Sequence, residues 1–364
     1  MIEGIFKDFN SVENGGNIYR LAEELKIQER KVIDFSSSVN QLGVSKKVKA
    51  EIRKHLKYLH NYPDPEAKRL RKRLAQYHGI DLETILCGNG STELIYLIVR
   101  TLKPQKVLIP APTFSEYEKA CSISCKSQVT SYELKKEDDF NINTEEFVEA
   151  MKGCDMAFLC NPNNPTGRLL KKDDVRNIAE KAKELECYLI VDEAYIDFCP
   201  DDSVISDTKD NPFLIILRTM SPFYALPGLR IGYSVFPRHL TGILKEHKEP
   251  WTVNNLSQRA AVVALKDKVY RNETFRLINE EKGFLERSFK KIGIEFFDSD
   301  ANFYLLKMNN ASEICRQLKI KGILVRDCSN FRGLDSTYLR VAVKSHRENT
   351  ILIKELTSIL QNEG

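Results

Sequence analysis

The sequence predicts an α/β fold, in which a mostly parallel sheet is sandwiched by helices and a smaller α/β domain follows toward the C-terminus. From Thr84 onward, short apolar runs alternate with helical stretches, as a sheet covered on both faces requires. One of those runs ends in an acid, Asp192, at the carboxyl edge where open α/β sheets bind ligands. A long helical stretch over Leu256–Lys290 then leads to a second, shorter set of strand and helix signals.

At 364 residues the chain can bury a large core in two unequal domains. The boundaries read as an N-terminal arm over 1–43, a large domain over 44–255 and a small domain over 256–364. Within the arm, one short helix is expected at Ile18–Leu25. Strands are expected at Thr84–Cys87, Lys106–Pro110, Gln128–Tyr132, Met156–Cys160, Tyr188–Asp192, Phe213–Leu217 and Arg230–Val235. In the small domain the strand Tyr304–Lys307, the amphipathic helix Ala311–Lys321 and the strand Tyr338–Val343 follow.

Composition narrows the function classes. Hydrophobic residues are 42% and charged residues 29%, ordinary for a soluble globular protein. The net charge of +4 is spread along the chain, which argues against a nucleic-acid partner. The lysine-rich stretch Lys46–Lys57 reads as the wet face of a helix, with Val48, Ile52 and Leu56 facing inward. No apolar run approaches membrane-spanning length and no leader segment is recognisable, so no membrane partner is expected. Nine cysteines with no CxxC pair point to reduced thiols and a cytoplasmic location. Cys121 and Cys125 share a helix face as packing residues, no metal site is expected, and Cys160 and Cys328 are placed at a pocket wall.

Several stretches carry chemistry. Gly88-Asn89-Gly90-Ser91-Thr92-Glu93 lies between a strand and an apolar helix. Glycines permit close backbone approach, and a helix start offers free N–H groups and a positive dipole end, which together make a phosphate cradle. Ser91 and Thr92 serve equally well as helix caps. Asp192 closes the apolar run from Tyr188, and a buried acid there calls for a partner. Asn161–Gly167 reads NPNNPTG, Val191–Tyr195 reads VDEAY, and Leu217–Tyr233 reads LRTMSPFYALPGLRIGY.

In this order and spacing, these motifs resemble the fold-type-I enzymes dependent on pyridoxal phosphate (PLP), the class I/II aminotransferases. The chain is most similar to the threonine-phosphate decarboxylases of cobalamin biosynthesis, then to the histidinol-phosphate aminotransferases. The likeness runs from Asn14-Gly15-Gly16-Asn17 to the RDCSNFRGL segment at Arg326–Leu334. It implies a homodimer with shared sites, acting on or binding a small phosphorylated amino acid.

The resemblance also assigns residues. Gly90, Ser91, Thr92, Thr219, Ser221 and Arg230 would hold the cofactor phosphate, joined by Tyr62 from the neighbouring subunit. Phe114 would stack on the pyridine ring, although core packing explains an aromatic there too. Asn164 and Tyr195 would bond its 3′-oxygen, and Asp192 its ring nitrogen. Arg340 would grip a substrate carboxylate, Arg326 a substrate phosphate, and Asn40 would border the substrate pocket.

The departures are specific. The family carries its cofactor-bonding lysine eight residues before the phosphate arginine, and eight residues before Arg230 stands Pro222. Proline has no amine and no side-chain acid or base, so no catalytic residue is assigned there and PLP is expected to bind non-covalently. Lys126, Lys245 and Lys248 are the candidate substitutes. Asn14 replaces a histidine of the decarboxylases, and Gln41 a proline. Three functions follow from this: a threonine-phosphate-decarboxylase-like enzyme, a histidinol-phosphate-type aminotransferase, or a non-catalytic ligand-binding protein.

Overall fold

The computed structural model describes residues 17–363. The arm segment Asn14–Gly16 lies outside the described residues, while Asn17 caps the first helix by accepting from Tyr19 and Arg20 N–H. That helix is α1 (Ile18–Glu24), followed by the short strand β1 (Ile33–Asp34). The chain then builds α2 (Lys46–His55), α3 (Lys68–His78), β2 (Ile85–Gly88), α4 (Gly90–Leu102), β3 (Lys106–Ala111), α5 (Glu116–Ser124) and β4 (Gln128–Glu133). Next come α6 (Thr144–Met151), β5 (Met156–Cys160), α7 (Lys172–Glu184), β6 (Tyr188–Asp192), β7 (Leu214–Thr219), β8 (Gly232–Val235) and α8 (Arg238–His247).

Strands β2 to β8 form one seven-stranded sheet in the order β2-β8-β7-β6-β5-β3-β4. β8 runs antiparallel to both its neighbours, and the pairs from β7 to β4 are all parallel. Alternate residues of each strand enter opposite cores. On β5, Ala157 and Leu159 face one core, while Met156, Phe158 and Cys160 face the other. On β6, Leu189 and Val191 share the first core and Ile190 the second. Burial on both faces is why these strands read as unbroken apolar runs.

The remainder comprises α9 (Asn255–Ala264), α10 (Lys268–Lys291), β9 (Glu295–Phe296), β10 (Phe303–Lys307), α11 (Ala311–Ile320), β11 (Ile323–Leu324), β12 (Arg326–Asp327), β13 (Tyr338–Ala342) and α12 (His346–Glu363). An antiparallel sheet, ordered β12-β13-β10-β9, packs on α10 to α12 through a core containing Phe289, Tyr304, Leu339 and Leu356. β1 pairs in parallel with β11, and Phe35 enters the same core, so the end of the arm is stitched onto this part of the chain.

Three expectations need correction. The single helix over Leu256–Lys290 is two helices, α9 and α10, parted at Leu265–Asp267, where Asp267 takes an ion pair from Lys47 at 2.9 Å. Arg230 is not a strand residue: its φ of 52° puts it in a left-handed turn before β8 begins. Leu56 does not face inward but is 48% exposed, just past the end of α2.

Candidate active site

The carboxyl ends of β5, β6 and β7 and the start of α4 surround a cavity of about 440 Å³. Ser91, Thr92, Phe114, Asn164, Asp192, Tyr195, Thr219, Ser221, Pro222 and Arg230 all line it, together with Glu116, Tyr117, Cys160 and Ala194. Ten positions singled out in the sequence thus converge on one space.

Part of the cavity wall is built for an anion. Gly90 opens α4 at φ +78°, and a Cβ there would collide with the Arg230 guanidinium, so the arginine lies directly against the helix start. The left-handed turn at Arg230 follows the Pro227–Leu229 helical turn and returns the side chain toward α4. Gly232 lets α4 approach equally closely, since a Cβ on it would strike Ser91 N and Gly90 C. Asn89 makes no side-chain cap on the first turn. The helix start therefore meets the cavity with its own N–H groups, a positive dipole end and a guanidinium. Thr219 and Ser221 complete this wall, their hydroxyls bonded to each other at 3.1 Å.

The same cavity is also lined by a buried carboxylate. Asp192 is 3% exposed. Its Oδ2 accepts from the Tyr117 hydroxyl at 2.7 Å and its Oδ1 from Ala194 N–H at 3.0 Å. Among the described residues it has no ion pair. Burial pushes its carboxyl up to about 6, against the pull of both hydrogen bonds. A carboxylate stripped of water and without a cation suits a cationic N–H donor in the cavity, such as a protonated pyridine. With the anion cradle lining the same cavity, the residues present fit both the ring nitrogen and the phosphate of PLP.

Neither substrate arginine expected from the sequence is among the residues lining the cavity, although Arg340 bonds Asn164, which is. Arg340 Nη1 donates to Asn164 Oδ1 and Nη2 to Ser36 O at 2.7 Å, and the guanidinium lies 4.9 Å from the Phe303 ring centre. Its buried Nε has no hydrogen-bond partner among the described residues. Arg326 is the direct cross-strand partner of Arg340 on β12, bonded to Asn330 at 2.9 Å and stacked 5.0 Å from Phe331. Tyr195 packs its ring edge-on to Phe303.

Asn40 is not presented to the cavity. Its amide donates to Phe223 O at 2.8 Å and Thr274 Oγ1 at 2.7 Å, its Oδ1 accepts from Leu42 N–H, and its own N–H donates to Pro222 O. It fixes the segment behind Pro222. Tyr62 is also outside the cavity, 83% exposed and set against the Trp251 ring at 5.5 Å. Cys160 lines the cavity as expected, but Cys328 packs with Leu305, Phe331 and Tyr338 instead.

Among the described residues no lysine lines the cavity, and Pro222 does. Lys245 is paired with Glu83 and Lys248 with Glu93, each at 3.1 Å, while Lys126 is exposed beyond the end of α5. Tyr117 is the functional residue that the sequence did not give away. It follows Phe114 by three residues, and that spacing is its only signal in the sequence.

Comparison with known proteins gives the lineage. A model described as aminotransferase class I and II matches residues 30–356. Threonine-phosphate decarboxylase of Salmonella typhimurium is 36% identical over 357 residues, covering 97% of each chain. Histidinol-phosphate aminotransferase of Caldanaerobacter subterraneus subsp. tengcongensis is 38% identical over 304 residues, covering 82% of this chain and 84% of its own. The crystal structure of histidinol-phosphate aminotransferase from Clostridium acetobutylicum superposes with a TM-score of 0.85 at 31% identity, over 91% of this chain and all of the other. With that coverage, and with the fold and cavity described above, the chain belongs to the aminotransferase class I and II family.

Proposed function

We propose that this protein binds PLP non-covalently in the cavity and acts there on a small phosphorylated amino acid. The observation that carries this is the joint lining of one cavity by a buried carboxylate with no ion pair among the described residues, Asp192, and by Arg230 set against Gly90 at the start of α4. When bound, PLP supplies an electron sink for a carbanion at the substrate α-carbon. Asp192 would hold the ring nitrogen protonated, Phe114 would cover one ring face and exclude water, and Asn164 and Tyr195 would orient the 3′-oxygen. Arg230, Thr219, Ser221 and the start of α4 would hold the phosphate.

The substrate class rests on Arg326 and Arg340. Like charges directly opposite on neighbouring strands repel, and an anionic ligand with both a carboxylate and a phosphate relieves that repulsion. A phosphorylated threonine, as named for the decarboxylase relatives, satisfies both, and would place the protein in cobalamin biosynthesis. Exposed Tyr62 supports a homodimer in which the tyrosine serves the neighbouring site. Nine free cysteines support a reducing, cytoplasmic compartment. Pro222 favours a second reading, a binding protein that keeps the pocket without turnover, because it can neither bond the cofactor nor carry a proton.

The test is the visible spectrum of the protein with PLP, before and after borohydride. The bound cofactor should dialyse away and leave no reduced adduct on any peptide. The Pro222→Lys variant should form a borohydride-stable adduct at residue 222. An adduct on another lysine of the unaltered protein would overturn non-covalent binding.

A further inference from the structure

We infer that Tyr117 is a positioning residue for the cofactor site: its hydroxyl fixes the Asp192 carboxylate as an acceptor turned to the cavity. This rests on the reading of Asp192 as the partner of the cofactor ring nitrogen. Tyr117 is fully buried in the first turn of α5. Its ring stacks on Phe158 with centres 4.7 Å apart and planes 12° from parallel, and Phe114 meets it edge-on at 5.6 Å. A ring held on two sides gives its hydroxyl one place, and that place is 2.7 Å from Asp192 Oδ2.

The arrangement has a chemical consequence. Tyr117 and the Ala194 N–H occupy one acceptor site on each carboxylate oxygen, which both favours the ionised form and sets the plane of the group. The remaining acceptor sites are left for a donor in the cavity. Other groups nearby do not substitute for Tyr117. The Cys160 thiol, from β5, is pushed up to about 12 by burial and stays neutral. Glu193, next to Asp192, is turned to the other side of the sheet, where Arg218 and Ser203 each bond it at 2.7 Å. Tyr195 has its phenol raised by burial, with Arg340 acting against that. Tyr117 is therefore the side chain that donates to Asp192, and Phe114, three residues earlier, lines the same cavity. One loop and helix start would thus supply both the ring cover and the support of the carboxylate.

The decisive measurement needs no cofactor. Carboxyl-carbon NMR of aspartate-labelled protein would follow the titration of Asp192, assigned by the signal lost in Asp192→Asn. In Tyr117→Phe the ring stacking is kept and the hydroxyl is gone, so the Asp192 midpoint should rise by about one unit, a tenfold loss in acidity. An unchanged midpoint would reduce Tyr117 to packing and overturn the proposal. Should Tyr117→Phe not fold, fluorotyrosine in the unaltered chain makes the phenol a better donor, and the midpoint should fall; no movement again overturns it. PLP titrations across pH separate this from the cofactor reading. Affinity should weaken as pH drops through the Asp192 midpoint, and do so at higher pH in Tyr117→Phe. A shifted midpoint with no PLP binding by either protein would keep the Tyr117 role and remove the cofactor.

Discussion

Burying a carboxylate without a cation costs stability whenever the group is ionised, and Asp192 is such a group. Its carboxyl is moved from 3.8 to about 6, so the fold favours the protonated form. The associated stability is fully present below the unfolded value and is lost as pH rises toward 6, with no further change above. Asp192→Asn has no charge to bury. The stability difference between the variant and the cofactor-free parent should therefore move in the variant's favour by up to about 3 kcal/mol between about pH 4 and pH 7. Denaturant midpoints across that range measure it, and a flat difference would contradict the burial argument. Added PLP should stabilise the parent alone. At this scale the sequence was informative where chemistry conflicts with burial: an acid after four apolar residues stands out, and Asp192 lines the cavity. Tyr117 did not stand out, because a tyrosine at a helix start reads as core until its hydroxyl partner is known. For Asn40 the likeness gave its place in the chain, but not the direction of its amide, which depends on Phe223 and Thr274, far away in sequence.

Among the elements, β5 and β6 match their expected bounds residue for residue because both faces of each strand are buried. The break between α9 and α10 was not legible: neither Gly nor Pro marks Leu265–Asp267, and the ion pair from Lys47 arrives from α2. The turn at Arg230 was not legible as a turn, since the strand expected from Arg230 begins only at Gly232. Gly232, the first residue of β8, pairs with Gly88 on one side and Thr219 on the other, directly beneath the start of α4. The atoms a Cβ would strike are backbone, which cannot move without tilting α4. Gly232→Ala should thus cost about 1–3 kcal/mol and also weaken PLP binding, since α4 would shift away from Arg230. Gly228→Ala, in the same turn with open space around it, should stay within about 0.5 kcal/mol of the parent. Equal melting and equal PLP affinity for the two variants would show that the close approach at Gly232 does not matter.

For the molecule as a whole, strand–helix alternation announced the large sheet, but the joining of the arm to the small sheet through β1 and β11 left no periodic trace in two-residue strands. Surface apolar residues carry the remaining signal. Leu56, Tyr58, Leu59, Tyr62 and Trp251 are all exposed large hydrophobic residues, and Tyr62 and Trp251 are in ring contact. Large apolar side chains gathered on a surface mark an interaction site, and on the proposed function the partner would be a second copy of the chain, with its cofactor phosphate in reach of Tyr62. If Tyr62 serves the opposite cavity, then Tyr62→Ala and Arg230→Ala damage the same site from different chains. Each variant alone should form dimers that bind PLP weakly. Mixed, dissociated and reassociated in equal amounts, roughly half the dimers should be hybrids. In each hybrid one site receives both defects and the other receives neither, so tight binding should return to roughly a quarter of all sites. Titration of the mixture against PLP reads that fraction directly. If both residues instead act within one chain, no hybrid contains an intact site and tight binding stays absent, however the subunits are mixed.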